Sequence, residues 1–225
     1  MKSIHALLFI TLAALGIAGC KTPADPQAFG LGKGPSMMYQ PAYGQKLQQK
    51  YPLKVGIMVA RDTRPYKFYN EQDEFFKESI PESFSRMMYQ ELKNSGLFAE
   101  TVFINETAPR NLDARMVKLI ASEHGVDMIL VGDLVDFNLL REKEGHPMGV
   151  AWTFNLIFNV KTFSQLIHAP SGTVVWADVI ERESRKLTDG SLKKGDLGPL
   201  VTPGLKGLFS DMRELIATAG LNMKR

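Results

Sequence analysis

Residues 150–161, VAWTFNLIFNVK, decide the fold class. Val150, Trp152, Phe154, Leu156, Phe158 and Val160 occupy one set of alternate positions, and Ala151, Thr153, Asn155, Ile157, Asn159 and Lys161 occupy the other. Successive side chains of a strand point to opposite faces, so this period of two predicts a long strand with one core face and one wet face. Trp152, Phe154 and Phe158 are then core by position. The flanking EKEGHPMG and QLIHAPSG read as turns. Before the first turn, VDMILVGDLVDFNLL (126–140) begins as an unbroken apolar run, which suits a central strand covered on both faces. After the second, TVVWADVIERES (173–184) reads as the returning strand. These three strands form an antiparallel meander.

Upstream the period changes. KVGIMVA (54–60) is a short buried strand. Residues 79–95 read as a helix: Ser79 as N-cap, Glu82 three residues on as in a capping box, Pro81 in the first turn and Gly96 as the stop. Its apolar face is Ile80, Phe84, Met87, Met88 and Leu92. AETVFINE (99–106) is a second strand. Leu112 to His124 is a second helix with Asp113 near its start, Gly125 as its stop, and Met116, Leu119 and Ile120 inside. Leu205 to Ala219 is a final helix, with Leu208, Met212, Leu215 and Ile216 inside. The Gly-, Lys- and Pro-rich stretch 185–204 before it reads as a long mobile loop of the kind that often carries function. The predicted order is β-α-β-α-β-β-β-α. It gives an α/β (α+β) domain with a mixed sheet and helices on at least one face, because helical crossovers join parallel neighbours.

The bulk numbers are consistent with one such domain. The chain has 225 residues, 44% hydrophobic and 23% charged, which is ordinary globular composition. A net charge of +3 gives no reason to expect nucleic acid as a partner. One cysteine excludes an intramolecular disulfide, so the compartment has to be read from the N-terminus.

There, Lys2 supplies a positive start and Ile4 to Ile17 form an apolar stretch. Its 14 residues span roughly 21 Å as a helix. A bilayer core needs about 20 residues, so the length suits a signal-peptide core better than a membrane span. Ile17-Ala18-Gly19-Cys20 follows and resembles the bacterial lipobox. That resemblance implies cleavage between Gly19 and Cys20, a diacylglyceryl thioether on the Cys20 thiol, and acylation (typically by palmitate) of the new amine. An ordinary secreted chain with an incidental cysteine is the bland alternative. A thioether sulfur cannot act as a nucleophile, and three acyl chains anchor firmly where one is marginal. Lys21 stands where enteric-type bacteria use Asp to retain lipoproteins in the inner membrane, so the resemblance implies the outer membrane. Cleavage removes Lys2 and lowers the formal charge to +2.

The expected organisation is therefore a signal peptide at 1–19, a lipidated cysteine and tether at 20–50, and a periplasmic domain at 51–225. The tether carries four Pro and four Gly, and as coil it would average roughly 30 Å end to end. Met37, Met38 and Tyr39 within it are candidate docking residues for a partner or neighbouring subunit.

Little else looks chemical. His124, His146 and His168 lack ligand-spaced neighbours and read as surface histidines. Asp133 and Asp136 are three apart on a strand, which places them on opposite faces and argues against a carboxylate pair. Glu181 and Glu183 share a face and read as salt-bridged surface. The loop after the first strand, RDTRPYK (61–67), lies where α/β sheets bind ligands, so Arg61, Arg64 and Lys67 are candidate anion- or partner-binding residues. Salt bridges to Glu71, Asp73 and Glu74 are the bland alternative. Trp176 is a candidate interface residue if exposed.

Five features together, the RDTRP loop, ELKNSGLF, VDMILVGDL, the long strand and SGTVVWADV, resemble the periplasmic α/β domain of three groups of outer-membrane lipoproteins. These are the curli-channel-like, penicillin-binding-protein-activator-like and TolB amino-terminal-like groups. The resemblance, over about 54–219, implies no enzymatic activity and no cofactor or metal. It implies a role in export, envelope assembly or regulation of wall synthesis, with protein partners and, in several members, a homo-oligomeric ring. No long amphipathic hairpin that would build a pore is visible. The leading expectation is an outer-membrane lipoprotein acting as scaffold or assembly factor in the cell envelope. The alternatives are an auxiliary lipoprotein that activates an enzyme or transporter, and a small-molecule or lipid binding protein with a cleft at the sheet.

Overall fold

A computed structural model of the chain describes residues 22–23, 51–65, 79–144, 153–188 and 197–221. In chain order the elements are β1 (Thr22–Pro23), β2 (Tyr51–Val59), β3 (Arg61–Asp62), α1 (Ile80–Ser95), β4 (Phe98–Thr107), α2 (Ala114–His124), β5 (Met128–Glu144), β6 (Thr153–His168), β7 (Thr173–Thr188) and α3 (Leu197–Thr218). All strands belong to one mixed sheet in which the long ones run β4-β2-β5-β6-β7. β2 is parallel to both β4 and β5, while β5, β6 and β7 form the antiparallel meander. The fold is α+β, as the sequence order implies.

The crossovers explain the layering. The connection from β2 to β4 through α1 steps to one side of β2, and that from β4 to β5 through α2 steps back to the other. Right-handed crossovers in opposite directions put their helices on opposite faces. Accordingly there are two cores. On one face, α1 and α3 cover Val55, Ile57, Leu130, Leu134, Phe137, Phe158 and Val160. On the other, α2 covers Met58, Ile104, Ile129, Val131 and Ile167. Phe84 of α1 and Phe209 of α3 meet at 5.2 Å between ring centroids. Phe137 and Phe158 pack edge to face at 4.9 Å.

The α1 stripe is buried as its spacing predicts. Gly96 and Gly125 both adopt the left-handed conformation that ends a helix. Asp113 caps α2 by accepting from the Met116 N–H at 2.8 Å. The capping box at α1 does not form: Ser79 makes no side-chain cap bond, and Glu82 is engaged by Arg86 at 2.8 Å.

Several expectations are corrected. In α2 the buried residues are Val117, Ile120 and Ala121, whereas Met116 and Leu119 are 36% and 65% exposed. The helix is rotated so that its small and β-branched side chains, Ala121 and Val117, meet the sheet. Trp176 is 8% exposed and belongs to the core cluster that α3 covers, so the exposure that would make it an interface candidate is not met. Residues 197–204 are helical rather than loop. Leu197, Leu200, Val201 and Leu205 all bury against the sheet, which outweighs the poor helix propensity of Gly204 and Pro203. Gly204 is there for space, since a Cβ would stand 2.9 Å from a Phe158 ring carbon.

A bulge decides the phase of β5. Leu134 pairs with Thr162 but Asp136 pairs with Lys161, leaving Val135 extra. Leu130 and Leu134 before it and Phe137 and Leu139 after it therefore share one core. Asp133 and Asp136, three apart in sequence, point to the same face, contrary to simple alternation. The predicted wet face of β6 is also drier than expected, with Ile157 fully buried, and its core face carries buried Thr162 and Ser164. Thr162 Oγ1 donates to the Asp133 carbonyl at 3.0 Å and lies 3.2 Å from Ser164 Oγ. Finally, Thr22 and Pro23, inside the segment expected to be a free tether, pair antiparallel with Arg141 and Leu140.

Candidate functional site

β2 is the point where the chain reverses direction across the sheet, and ligands in open α/β sheets bind in the crevice beyond such a strand. A cleft of about 690 Å³ lies there, lined by Arg61, Asp62, Thr63, Arg64, Thr107, Ala108, Arg110 and Asp133. A second hollow of about 370 Å³ shares Asp62 and Thr107 and reaches Ser79 and Pro81 at the start of α1. β3 continues the line of β2 and pairs with β5, with Arg61 opposite Asp133.

The arginines here are neutralised. Arg61 grips Asp133 with both faces of its fork: Nε meets Oδ1, and Nη2 donates to Oδ2 at 2.8 Å. Its Nη1 donates to the Pro109 and Arg110 carbonyls at 3.0 and 3.3 Å. Arg64, whose side chain is fully buried, donates from Nε and Nη2 to Asp62 at 2.8 and 2.6 Å. Burial alone would raise the Asp62 carboxyl, but hydrogen bonds and charge from Arg64 outweigh it and hold the group below its ordinary value. Arg61 and Arg64 thus pair with Asp133 and Asp62, carboxylates that the sequence reading did not single out as their partners. Lys67, Glu71, Asp73 and Glu74 lie outside the described residues. Arg110, which the sequence reading passed over, is exposed in the cleft and has no carboxylate partner among the described residues.

The cleft wall is tied to the helix behind it. Ser85 of α1 is completely buried. Its hydroxyl donates to the Pro81 carbonyl and accepts from the Ala60 N–H, each at 2.7 Å. The last residue before the arginine loop is thereby fixed to the first turn of α1.

Asp136 and Asn138 lie farther along β5, and the amide of Asn138 donates to the Asp136 carboxylate. Burial holds Asp136 above the ordinary carboxylate range. Glu181 adds to that, while the Phe137 N–H, Asn138 and Lys161 pull against it. Lys161 bridges to Glu181 at 2.8 Å, and Arg185 pairs with Glu183 and, at 3.2 Å, with Glu142. The Glu181/Glu183 face is a salt-bridged surface, as its spacing suggests. His168 sits 2.9 Å from the Ser171 hydroxyl, whereas the Nε2 of His124 is buried with no partner among the described residues. His146, Gly19, Cys20, Met37, Met38 and Tyr39 lie outside the described residues. Among the described residues there is no cluster of three metal-ligating side chains, and no helix is long and apolar enough to cross a membrane.

A third surface was not visible from the sequence. β7 is an outer strand with no neighbour on its far side among the described strands. Val174, Val179 and Leu187 project from one face of it at 49, 52 and 59% exposure. Between β7 and α3 runs a groove of about 490 Å³ that includes Val179, Glu181, Arg182, Asp211, Glu214 and Leu215.

No family model and no curated protein matches the chain. Solved structures do resemble it. One is a Xanthomonas campestris protein described by the family model DUF330, at 10% identity and TM-score 0.47, covering 83% of this chain and 94% of that one. A second is the PelC dodecamer from Paraburkholderia phytofirmans, at 14% identity and TM-score 0.39, covering 74% and 92%. A third is a lipoprotein from Neisseria meningitidis, at 11% identity and TM-score 0.31, covering 71% and 99%. Structural neighbours thus include a bacterial lipoprotein and an oligomer, at similarities too low to carry function across.

Proposed function

We propose that the chain is a non-enzymatic lipoprotein, anchored in the outer membrane through Cys20, whose domain binds protein partners in an envelope complex for export, secretion or an appendage. The lipobox Ile17-Ala18-Gly19-Cys20 behind an apolar run of signal-peptide length supports the address. The observation that carries the binding role is β7. It is an outer strand of sixteen residues with exposed Val174, Val179 and Leu187 on one face, next to an open groove against α3. Exposed apolar side chains on an outer strand are what a protein partner covers. The resemblance to ring-forming outer-membrane lipoproteins makes a second copy of the chain one such partner.

The cleft supports this less. Its two inner arginines already hold carboxylates, so an incoming anion would meet compensated charge rather than open donors. Its volume and Arg110, which has no carboxylate partner among the described residues, favour, as a second reading, a small acidic ligand or an acidic partner loop. An auxiliary lipoprotein that activates an envelope enzyme or transporter uses the same surfaces.

The test is a photo-crosslinking residue placed at Val179, with Glu123 on α2 as the control position, in cells producing the full chain. Discrete adducts at Val179 and none at Glu123 are expected. Light scattering on the purified chain then tells a self-adduct from a foreign one. No adduct at Val179, together with a monomeric mass, would overturn the proposal.

A further inference from the structure

We infer that the end of the sheet around Arg141, Lys143 and Leu187 is the one turned toward the bilayer that holds the lipid of Cys20, so that the domain keeps a fixed orientation instead of floating on a tether. The inference rests on the lipoprotein reading above. It follows from where β1 is. Thr22 pairs with Arg141 and Pro23 with Leu140, antiparallel. Going back from Thr22 toward Cys20 therefore runs in the direction of Lys143, toward the end of β5 away from the parallel core. Two residues reach at most about 7 Å. The lipidated cysteine is thus confined beside the last residues of β5. Residues 24–50 follow the pairing in the chain, so they add nothing to the distance between lipid and sheet.

The chemistry of this end suits a headgroup layer. Leu187 is exposed. The Arg141 guanidinium stacks on the Phe154 ring at 4.1 Å. Lys143 is exposed, and Arg185 is exposed beside Glu142 and Glu183. Long cationic side chains with apolar stems, an aromatic ring and an exposed leucine are at home at a membrane interface. The mixed signs mean that the acyl chains hold the protein there while this end of the sheet sets its orientation. Asp133, in the cleft, lies eight positions before Arg141 on β5, or about 26 Å at ~3.3 Å per residue. The cleft lies at the C-terminal ends of β2, β3 and β4, which run in the same sense as β5, so it is held at a fixed height above the membrane and opens toward it. The C-terminal end of α2, at Glu123, lies farther still, beside the start of β5.

Because lipidation consumes the thiol of Cys20, an introduced cysteine labels uniquely. Leu187→Cys and Glu123→Cys, both exposed positions, would each be labelled with an environment-sensitive fluorophore on the lipidated full chain in phosphatidylethanolamine–phosphatidylglycerol vesicles. Lipids with a spin-labelled headgroup serve as quencher. The expected result is at least threefold stronger quenching at position 187 than at 123. A flexible Gly-Ser insertion between Lys21 and Thr22 should abolish the difference, and the same insertion after Pro23 should leave it intact. Equal weak quenching at both positions on a chain whose lipid is verified by mass would overturn the inference and leave the lipoprotein reading standing. A chain that carries no lipid and does not float with the vesicles would overturn both.

Discussion

Replacing Asp133 by Ala removes the carboxylate gripped by Arg61 in the cleft, and the cost can be worked from the geometry. The side chains of Arg61 and Asp133 are 19% and 18% exposed. Breaking a fully buried pair from one side costs about 3–5 kcal/mol, and an exposed pair is worth about 1 kcal/mol or less. A pair about four-fifths buried, with bidentate geometry, falls between these limits, at about 2–3 kcal/mol. Arg61 is not stranded entirely, because Nη1 keeps the Pro109 and Arg110 carbonyls. Urea titration followed by far-ultraviolet circular dichroism reads the loss. With a slope near 2 kcal/mol per molar, the midpoint should fall by about 1–1.5 M. Arg61→Met should cost a similar amount. The double variant Arg61→Met/Asp133→Leu should lose less than the sum of the singles by about 1–3 kcal/mol, as coupled sites do. In Asp133→Ala the freed guanidinium should also make stability rise more steeply with sulfate than it does in the parent, which sulfate stabilises only by its general exclusion from protein surface. Additive losses with no sulfate effect beyond that of the parent would show that the two side chains do not compensate each other, and the argument for a neutralised cleft would fail.

Other substitutions test neighbouring parts of the account. Asp136 is held above its ordinary pKa, so the folded state binds more protons than the unfolded one as pH rises from the unfolded value, about 3.9, to the folded one, and stability is lost over that window. Asp136→Asn, which keeps an oxygen for Asn138, should therefore raise the urea midpoint at pH 7 and leave it unchanged near pH 3; a drop at pH 7 would contradict the burial argument. Gly204→Ala should destabilise by about 1 kcal/mol, because overpacking against Phe158 outweighs the helix propensity gained. A rise in melting temperature would refute the close approach. Ser85→Ala strands the buried Ala60 N–H and should cost about 1–3 kcal/mol, with faster amide exchange at Ala60; an unchanged exchange rate would count against that bond.

The long elements were readable because burial writes a period into them. The alternation of 150–161 marks β6, the α1 stripe marks its inner face, and Gly96 and Gly125 mark ends that need a left-handed residue. What could not be read depends on partners distant in sequence. Val135 looks like any strand valine, and only its registration against Thr162 and Lys161 makes it a bulge that turns Asp133 and Asp136 to one side. Residues 197–204 carry loop composition, yet Leu197, Leu200 and Val201 are covered by the sheet, and tertiary burial overrides propensity. Met116 and Leu119 have the right spacing for a core stripe, but the sheet takes the neighbouring Val117 and Ala121 instead. For the cleft, the loop position of Arg61 and Arg64 was visible. Their true partners were not, since Asp133 lies 72 residues away from Arg61 and nothing local marks it. The two-residue pairing of β1 leaves no pattern at all.

The most direct test of the central claim is the intact mass of the N-terminal proteolytic fragment of the chain purified from bacterial membranes. The account predicts a fragment beginning at Cys20 and carrying a diacylglyceryl group with an N-linked acyl chain. A fragment that begins at any other residue, or one with an unmodified Cys20 thiol, would contradict it.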